Sequence, residues 1–423
     1  MNIAVAKEDI NAARDAAYAL PLDKINVAQP VLFQQNAMWP YFERLRREDP
    51  VHYCAESEFG PYWSITKYND IMAVDTNHQV FSSDFLAGGI TIGGGQANQD
   101  PLPMFIAMDP PKHDIQRKVV TPVVNPANLQ YLGPIIRERA GKILDSLPIG
   151  EPFDWVDKVS IELTAMTLAT LFDLPQEERR QLARWSDIVT AAPGHGVIDT
   201  MEEKMMEFQR FHGRFTELWN DRVNATEAGG DLISMLAHNP ATRNMEPREY
   251  FGNVVLLTVG GNDTTRNTIT GSVLALNQNP DQYDKLRANP ELITSMVSET
   301  IRWQTPLAHM RRTANQDIEF QGKHIKKGDK VVMWYVSGNR DETVIERPND
   351  YIIDRENPRR HISFGFGIHR CVGNRLAELQ LQIIWEEIMK RFPAIEVVAE
   401  PKRSYSTFVK GYERLMTVIP KRN

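Results

Sequence analysis

Cysteine is scarce in this sequence. The 423 residues include two, Cys54 and Cys371, and they lie far apart along the chain. So small and scattered a set gives no sign of a disulfide framework or a zinc site. A reducing compartment fits this composition, and we expect a cytoplasmic protein.

Long apolar runs and an excess of positive charge are also missing. The longest strongly apolar stretch, Val254–Val259, is much shorter than the ~18 residues that a membrane span requires. Residues 1–10 lack the basic-then-apolar order of a signal peptide. The net charge of −7 argues against nucleic acid as a main partner. We therefore expect no membrane span and no nucleic-acid binding.

What the sequence does contain is the composition of a globular protein with a sizeable core, with 42% hydrophobic and 24% charged residues. No linker or internal repeat divides it, so we predict one domain over residues 1–423, of which about 1–27 form an N-terminal extension. Apolar periodicity predicts a mainly α protein with a small β part. Helices are predicted at 40–48, 130–145, 158–173, 177–190, 200–222, 247–279, 290–302 and 374–391. Strands are predicted at 61–67, 317–320, 324–325 and 330–336.

Cys371 lies in a glycine-rich segment, 364–373, that reads Phe-Gly-Phe-Gly-Ile-His-Arg-Cys-Val-Gly. Gly365 frees the backbone for a tight turn, and Gly373 lets the main chain lie close to a flat cofactor. A helical pattern begins at Asn374, so Cys371 precedes a helix N-terminus, where the helix dipole favours the thiolate. These features predict a haem iron ligand, and a buried structural cysteine is the alternative.

The segment resembles the cysteine-ligand loop of the cytochrome P450 haem-thiolate monooxygenases at every fixed position of that motif. This resemblance implies the P450 fold, with haem b between a long central helix and the helix after the cysteine loop. It also implies Cys371 as the axial ligand of the iron and O2 as co-substrate. Four further residues are expected to line the haem: Phe364, Gly365, Gly373 and Gly260. Because eukaryotic members are usually membrane-anchored, the missing span implies a bacterial protein, and we expect a monomer.

A second motif, Gly-Gly-Asn-Asp-Thr-Thr at 260–265, lies inside the predicted helix 247–279. Two glycines inside a helix cost about 1 kcal/mol each relative to alanine. A helix that approaches a ligand closely and opens locally would need such small residues. The motif matches the oxygen-activation motif of the family, which implies that Asp263 and Thr264 are catalytic residues that supply protons. A weakened helix with a surface Asp and a core Thr is the alternative.

The pattern Glu299-x-x-Arg302 places opposite charges three residues apart on a predicted helix. Such a pair is common and contributes little on its own. It resembles the structural ion-pair motif of the family, in which Arg355 would be the third member. We therefore assign all three residues to fold integrity around the haem pocket.

Haem propionates need cations and hydrogen-bond donors. His113 and Arg117 lie four residues apart on a predicted helix and would present one face to a carboxylate. Arg312 and His369 occupy the corresponding places in the family pattern. Taken singly, each has ordinary surface charge as its alternative, but together they are predicted to bind the propionates.

The resemblance extends over nearly the whole chain from about residue 28. The segments that look like the bacterial terminal alkane hydroxylases of this superfamily are Phe105–His113, Leu256–Asn267, His309–Arg312, Val331–Arg340 and Phe364–Gln380. This implies hydroxylation of the end methyl of medium-chain n-alkanes, with electrons from a ferredoxin and an NADH-dependent ferredoxin reductase. The predicted substrate contacts are uncharged, as an apolar ligand requires: Ile90, Leu102, Ile188, Val189, Leu257, Gly260, Leu307 and Phe408.

Other functions stay open. A fatty-acid ω-hydroxylase or a hydroxylase of another apolar molecule, such as a terpene, fits the same pocket. A peroxide-driven peroxygenase usually lacks the acid–Thr pair, and a non-catalytic haem sensor would not need it. The glycine-rich stretch 88–95 is interpreted as a mobile loop over the pocket. A basic surface for an acidic electron donor is a further hypothesis, formed by Lys112, Lys118, Arg359, Arg360 and Arg370.

Overall fold

A computed structural model describes residues 10–93, 101–227 and 229–423. Helix accounts for 54% and strand for 10% of it, which confirms the predicted fold class. The α-helices are α1 (Asn11–Ala19), α2 (Pro30–Gln34), α3 (Trp39–Glu48), α4 (Tyr68–Thr76), α5 (Lys112–Val120), α6 (Pro126–Asp145), α7 (Glu162–Phe172), α8 (Arg179–Thr190), α9 (Met201–Val223), α10 (Leu232–His238), α11 (Pro247–Gln278), α12 (Pro280–Ala288), α13 (Ile293–Gln304), α14 (Tyr335–Gly338) and α15 (Asn374–Arg391).

The strands are short and come in several groups. They are β1 (Val51–Cys54), β2 (Tyr62–Ile65), β3 (Phe81–Ser82), β4 (Phe153–Asp154), β5 (Met310–Ala314), β6 (Ile318–Phe320), β7 (Lys323–Ile325), β8 (Lys330–Met333), β9 (Glu396–Val397), β10 (Lys402–Arg403), β11 (Tyr412–Arg414) and β12 (Met416–Val418). Five of them form one sheet in the order β1-β2-β8-β5-β3. In this sheet β2 and β8 run parallel, with Trp63 opposite Val331, and the other pairs are antiparallel.

The long helix α11 passes through the main hydrophobic core. Pro247 stands in its first turn, where a missing N–H costs nothing, and the helix continues for 32 residues. Helices α7, α8, α13 and α15 all pack against it. Its side chains supply much of the core, for example Val254 and Ile269, which are fully buried. Helix α15 is tied to it where Trp385 Nε1 donates to Ser272 Oγ at 2.8 Å.

The predicted helices exist, although some of their bounds were wrong. The predicted helix 130–145 begins earlier, at Pro126, because the Asn125 side chain caps its first turn at the Asn128 N–H. The predicted helix 158–173 begins as a π-helical turn over Val156–Ile161. The nine-residue helices α1, α4 and α12 were not predicted, since so short a helix shows few repeats of an apolar pattern.

Among the strands, the hairpin of β6 and β7 was predicted, with its turn at Gln321 and Gly322. The predicted strand 330–336 was too long. It stops at Met333, and α14 begins at Tyr335. The buried strand β5 was not predicted because its sequence, Met-Arg-Arg-Thr-Ala, carries two charged residues. Their buried hydrogen bonds make that strand possible.

From residue 10 onward, the predicted N-terminal extension packs against α3. Arg14 Nη2 on α1 lies 2.9 Å from Glu43 Oε2, and Arg44 Nη1 donates to Ala17 O at 2.7 Å. In the part of the chain that the structure describes, no helix is long and apolar enough to cross a membrane. The predicted loop 88–95 is described only to residue 93, and Gly94 and Gly95 lie outside the described residues.

Candidate active site

The segment that carries Cys371 is closed by its own backbone. Cys371 N donates to Phe364 O at 2.8 Å, across a short 3₁₀ turn at Gly367–His369. Gly365 and Gly367 both have φ of +66°, a conformation that residues with a Cβ rarely adopt. A Cβ at Gly367 would also lie 2.7 Å from Asp75 O. The glycines are therefore required for this loop shape.

Asp75, at the end of α4, holds the loop in place. Its Oδ2 accepts from Phe366 N at 2.7 Å and from the Tyr335 hydroxyl at 2.8 Å. Its Oδ1 accepts from Arg312 Nη2 at 2.7 Å. One buried carboxylate thus joins α4, α14, β5 and the cysteine loop. No pattern along the chain indicates this role of Asp75, because α4 itself was not predicted.

The Cys371 side chain is accessible to solvent, although it lies among protein atoms. It therefore faces open space inside the fold, three residues before α15 begins. Burial raises the pKa of the Cys371 thiol, while a backbone hydrogen bond at Gly373 and the charges of Arg117 and Arg370 oppose that rise. A cation bound at the sulfur would favour the thiolate against this effect of burial.

Four residues predicted to bind propionates converge beside this loop. His113 and His369 lie with ring centroids 4.3 Å apart, and both are buried. Burial, Arg312, His113 and Arg117 lower the pKa of His369 to about 2. Arg117 Nη2 donates to Arg370 O next to the cysteine. Residues up to 256 positions apart along the chain, such as His113 and His369, thus lie close together in the fold.

Three buried ring nitrogens in this group have no hydrogen-bond partner among the described residues. They are His113 Nε2 and both ring nitrogens of His369. The other nitrogen of His113, Nδ1, lies 2.7 Å from Asp114 Oδ1. Buried polar atoms are nearly always paired in native proteins. This arrangement therefore requires a bound polar group at the same place.

The two glycines in the middle of α11 have different surroundings. A Cβ at Gly261 would lie 3.0 Å from Leu168 Cδ1 on α7, whereas a Cβ at Gly260 would meet no described atom within 4 Å. Gly260 is exposed in an otherwise mostly buried helix. One turn later, Thr264 Oγ1 donates to Gly260 O at 3.2 Å. This face of α11 therefore borders open space.

Asp263 points into a different environment, a buried polar network. Its Oδ1 accepts from Ser186 Oγ at 2.7 Å and from Asn262 Nδ2 at 3.0 Å. Arg266 Nη2 lies 3.2 Å from the same oxygen and 2.6 Å from Asp187 Oδ1. Burial raises the pKa of Asp263; the charge of Arg266 opposes this rise and the charge of Asp187 adds to it.

Glu299, Arg302 and Arg355 meet in the core, as the motif predicted. Arg302 donates through Nε and Nη2 to the two Glu299 oxygens, both at 2.8 Å. Arg355 Nε donates to Glu299 Oε2 at 3.1 Å. Burial alone would raise the pKa of Glu299, but the hydrogen bonds and charges of the two arginines lower it. Arg302 also donates to Asn339 O and Pro348 O, which holds α13 against the segment 339–348.

The predicted substrate contacts come from five parts of the chain. Leu307 pairs with Val409 in an isolated β-bridge, and Ala308 N donates to Phe408 O at 2.9 Å. Leu102 approaches α11 at Gly252, where a Cβ would lie 3.6 Å from Leu102 Cβ and 1.9 Å from Pro103 O.

The other predicted contacts differ in exposure. Ile90, Val189 and Leu257 are half-buried. Ile188 is 1% exposed, so its side chain is enclosed by protein. Access to a substrate is therefore poorest at that position.

His309 was not predicted as part of the site. Its Nδ1 bonds Thr407 O at 2.7 Å, and its Nε2 accepts from Ile92 N at 3.3 Å. Its ring also lies 5.4 Å from that of Phe408. Burial lowers the pKa of His309 to about 4, so it adds no charge at neutral pH. This residue joins the loop of Ile90 and Ile92 to the C-terminal turn.

The profile of the family described as Cytochrome P450 matches residues 47–416, which include the cysteine loop and the Asp-Thr-Thr helix. The chain belongs to the cytochrome P450 family. The predicted family is thereby confirmed.

Curated relatives agree with this assignment. Linalool 8-monooxygenase of Pseudomonas putida is 36% identical over 94% of this chain and 99% of the relative. The methyl-branched lipid omega-hydroxylase of Mycobacterium tuberculosis is 30% identical over 88% and 89%, respectively. Among solved structures, cytochrome P450-153 of Novosphingobium aromaticivorans superposes with a TM-score of 0.86 at 45% identity, covering 93% of this chain and 98% of that one.

The cofactor of this cytochrome P450 is haem b, held by a cysteine thiolate. The described residues fit that group. Cys371 faces open space, and a Cβ at Gly373 would meet no described atom within 4 Å. The unpartnered nitrogens of His113 and His369 suit the two propionate carboxylates of haem. We propose Cys371 as the iron ligand and His113, Arg117, Arg312 and His369 as the propionate ligands.

Several residues of this site could not be found from motifs. Asp187 and Ser186 reach Asp263 from α8 only through tertiary packing. Asn262 and Arg266 lie within the helix that was predicted, and the three-residue spacing from Asp263 to Arg266 was the one available signal. Asp75 and His309 act through buried hydrogen bonds that leave no pattern along the sequence.

Proposed function

We propose that this cytochrome P450 hydroxylates the terminal methyl group of medium-chain n-alkanes, to give 1-alkanols. The feature that supports the proposal most is the apolar character of the residues predicted to contact the substrate. None of the eight predicted contacts carries a charge, and the buried histidine beside them is neutral at pH 7. An apolar wall selects an apolar ligand because burying an unpaired polar group is costly.

The relatives support attack at a chain end. One is named for ω-hydroxylation of a methyl-branched lipid, and the extended resemblance of this sequence is to terminal alkane hydroxylases. A terminal methyl is the least hindered part of a linear chain. A pocket that admits the chain end-on through apolar contacts positions that methyl by shape alone.

Bound haem with a thiolate ligand supplies the oxygen chemistry that replaces a C–H bond by C–O. The chain's own residues supply position and protons. Because the Thr264 hydroxyl donates to Gly260 O, its oxygen keeps lone pairs free to accept a proton on the open side of α11. Asp263 lies beside it in the sequence, with its Oδ1 held by hydrogen bonds from Ser186 and Asn262 and by an ion-pair contact with Arg266. The two residues thus supply an acid and a hydroxyl from adjacent positions of α11, the two kinds of group that proton supply uses.

A second candidate, ω-hydroxylation of fatty acids, is favoured by two buried cations. Arg311 and Lys330 both line a cavity of 280 Å³ that is also bordered by Ala87, Gly88 and one acid, Asp329. Burial lowers the pKa of Lys330 to about 8, and the charge of Arg311 adds to that effect. A carboxylate would relieve this repulsion. The loop that borders the cavity also carries Ile90, so a fatty acid could place its charged end there.

We also propose that electrons arrive from a ferredoxin with an NADH-dependent ferredoxin reductase. The five residues of the predicted basic surface, Lys112, Lys118, Arg359, Arg360 and Arg370, are all exposed. Lys112 is paired with Glu249 at 2.5 Å, and Arg359 with Glu378 at 3.4 Å. The remaining cations support an acidic partner on this side.

The test is a turnover assay with the purified haem-loaded protein, a ferredoxin and its reductase. Octane, dodecanoic acid and linalool are supplied together at equal concentrations, and products are identified by gas chromatography with mass spectrometry. We expect mainly 1-octanol. Mainly ω-hydroxydodecanoic acid would replace the alkane proposal by the second candidate. Mainly hydroxylated linalool would show that the substrate class is closer to that of the Pseudomonas relative.

A further inference from the structure

The loop of residues 87–92, called the Ile90 loop below, lies along an edge of the five-stranded sheet. Strand β3 has two residues, which pair with Thr313 and Ala314 of β5. Beyond Thr313 the Ile90 loop follows β5 instead, and Arg311 N donates to Ile90 O at 2.8 Å. Because Ile90 is a predicted substrate contact, the position of this loop sets the position of one wall of the pocket.

Two side chains of β5 hold the beginning of the Ile90 loop. Thr313 Oγ1 donates to Ala87 O at 2.8 Å. Arg311 donates through Nη2 to Ala87 O at 3.2 Å and through Nη1 to Gly88 O at 3.1 Å. Gly88 has φ of +115°, and a Cβ there would lie 2.5 Å from Arg311 Cζ. The guanidinium therefore lies against the bare backbone of Gly88, at a distance that only glycine permits.

His309, just before β5, holds the end of the Ile90 loop and also reaches a second segment. Its Nε2 accepts from Ile92 N at 3.3 Å, and its Nδ1 donates to Thr407 O at 2.7 Å. A backbone N–H can only donate and a carbonyl oxygen can only accept, so the neutral ring must carry its proton on Nδ1. The side chain is 0% exposed. One buried ring thus joins the Ile90 loop to the C-terminal turn, residues 406–409.

The C-terminal turn carries another predicted substrate contact, Phe408. Its ring lies 5.4 Å from that of His309. Ser406 Oγ accepts from Phe408 N and from Val409 N, both at 3.1 Å, which fixes the shape of the turn. Because His309 is bonded to both segments, it fixes the position of Ile90 relative to Phe408.

We propose that His309 is a positioning residue which, together with Arg311 and Thr313, decides which carbon atom of the substrate is hydroxylated. The three side chains act through the two segments that they hold and do not touch the substrate. An apolar chain has no polar group to orient it, so the shape of the wall between Ile90 and Phe408 selects the carbon that is presented for reaction. This proposal rests on the proposed hydroxylation, because it concerns the carbon that is attacked.

The deciding experiment compares His309→Phe with wild type in the haem-loaded full chain. Phe keeps a flat ring but removes the partners of Ile92 N and Thr407 O, and it changes no charge at neutral pH. Each protein is supplied with whichever of octane, dodecanoic acid and linalool the wild type turns over, and positional isomers are separated by gas chromatography with mass spectrometry. We expect the ratio of the main product to its positional isomers to fall about ten-fold, because small displacements of a bound substrate change reactivity strongly. An unchanged ratio would overturn the proposal.

His309→Gln tests whether the two hydrogen bonds, and not the ring, position the wall. One amide group can donate to Thr407 O and accept from Ile92 N at the same time. His309→Gln should therefore restore most of the wild-type product ratio. Equal ratios in the Gln and Phe variants would show that these hydrogen bonds have no positioning role.

His52→Phe is the matched control. His52 is also buried and also bonds through both ring nitrogens, to Asp49 Oδ2 and to Ile25 O, at 2.9 Å each. Neither of these segments carries a predicted substrate contact. His52→Phe should keep the wild-type product ratio, and an equal fall in that ratio would assign the effect to general instability and overturn the proposal.

A second pair of variants tests the beginning of the Ile90 loop with a smaller change. Thr313→Val keeps the side-chain shape and removes the hydrogen bond to Ala87 O, so the product ratio should fall about two- to three-fold. Thr66→Val is its control, because Thr66 Oγ1 donates to Pro50 O at 2.9 Å, away from the predicted contacts. If His309→Phe does not bind haem, this pair decides the question, and equal ratios in the two variants would overturn the proposal.

Hydrogen exchange measures the same connection without any substrate. In His309→Phe the amides of residues 87–92 and of 406–409 should both exchange faster than in wild type, whereas His52→Phe should leave them unchanged. Wild-type exchange in both segments of His309→Phe would overturn the proposal. This result does not depend on which compound is hydroxylated, so it succeeds or fails separately from the substrate proposal.

Discussion

The surroundings of two buried carboxylates in this protein shift their pKa values in opposite directions. Glu299 and Asp263 each have 0% exposure. Glu299 receives two arginines and the Ile352 N–H at 2.8 Å, and the pKa of Glu299 is lowered. Asp263 shares one arginine with Asp187, and the pKa of Asp263 is raised. Burial is the largest contribution to the pKa shift of both carboxyl groups and raises the pKa of each. The number of arginines that pair with the carboxylate therefore decides whether its pKa is finally raised or lowered.

This difference distinguishes a carboxylate with a structural role from one that is suited to exchange protons. With both of its oxygens bound, Glu299 cannot easily gain a proton, and its role is to hold α13 against the loop of Asn339 and Pro348 through Arg302. Asp263 keeps one oxygen almost free, and its raised pKa brings it closer to the range in which it exchanges protons. A site that must change its protonation state cannot be fully neutralised by fixed partners.

The largest effect is expected from breaking the buried ion pairs of Glu299 with Arg302 and Arg355. Glu299→Gln leaves Arg302 and Arg355 buried without a counter-charge, which costs about 3–5 kcal/mol of the free energy of unfolding. Urea unfolding followed by circular dichroism measures this loss. The control is Glu217→Gln, in an exposed pair with Arg214, which should change stability by less than about 1 kcal/mol. Equal effects for the two variants would contradict the comparison.

Asp263→Asn should instead spare the fold and impair the reaction. Asn keeps the shape of the side chain and can still accept hydrogen bonds from Ser186, while Arg266 keeps Asp187. We expect stability no more than about 1 kcal/mol below that of wild type but product formation lowered about 100-fold, as for the loss of a proton-transferring group. Product and NADH consumption are measured together. A stability loss as large as that of Glu299→Gln would make Asp263 a structural residue.

Thr264→Ala removes the hydroxyl that follows Asp263 in the sequence and leaves the partners of Glu299 and of Asp263 unchanged. NADH use should continue, but about ten-fold less product should form per NADH, with oxygen diverted to hydrogen peroxide, because a positioned proton transfer is lost. Peroxide and product are assayed in the same reaction. Thr268→Ala, one turn along and bonded to Thr264 O at 2.7 Å, is the control. Unchanged product per NADH in Thr264→Ala would remove the hydroxyl from the mechanism.

The two carboxylates also predict opposite pH dependences of stability. The pKa of Asp263 is raised on folding, so its contribution is favourable at low pH and is lost as pH rises from the ordinary carboxyl pKa toward the folded value. Asp263→Asn should therefore gain stability relative to wild type across that window, by up to about 1.4 kcal/mol per pH unit. Unfolding in urea at a series of pH values measures the difference.

For Glu299 the sign is reversed. Its pKa is lowered on folding, so its contribution is present above the unfolded pKa and is lost as pH falls through the folded value. The gap between wild type and Glu299→Gln should shrink in acid. If the stability of Asp263→Asn relative to wild type and that of Glu299→Gln relative to wild type both fall as pH rises, the opposite pKa shifts are wrong.

The smallest effect is expected for charges that have no buried role. Reversing Arg359 and Arg360 to Glu should leave stability unchanged but slow the first electron transfer from an acidic ferredoxin about ten-fold at low salt. The effect should fade as salt screens the surface. Stopped-flow reduction under carbon monoxide gives the rate. Arg210→Glu, exposed on α9, is the control, and equal rates for both would exclude this docking surface.

Local patterns were enough to predict much of this protein. The cysteine loop, the Asp-Thr-Thr helix and the Glu-x-x-Arg motif are each contiguous, so they can be recognised without a structure. Long helices such as α11 and α15 were predicted close to their bounds because many repeats of an apolar pattern accumulate over such lengths. Strand β5 was missed because buried Arg311 and Arg312 make its sequence look exposed.

The sequence by itself determined the family, the haem cofactor and the mainly α fold, since these depend on short motifs and on periodicity along the chain. Only the tertiary structure decided which charged and polar side chains surround each buried carboxylate. Asp187 and Ser186 are more than 70 residues away from Asp263 in the sequence, and Asp75 is far from the cysteine loop that it holds. Electrostatic effects in a buried site depend on distance in space and on the exclusion of water. Neither quantity is visible until the helices are packed together.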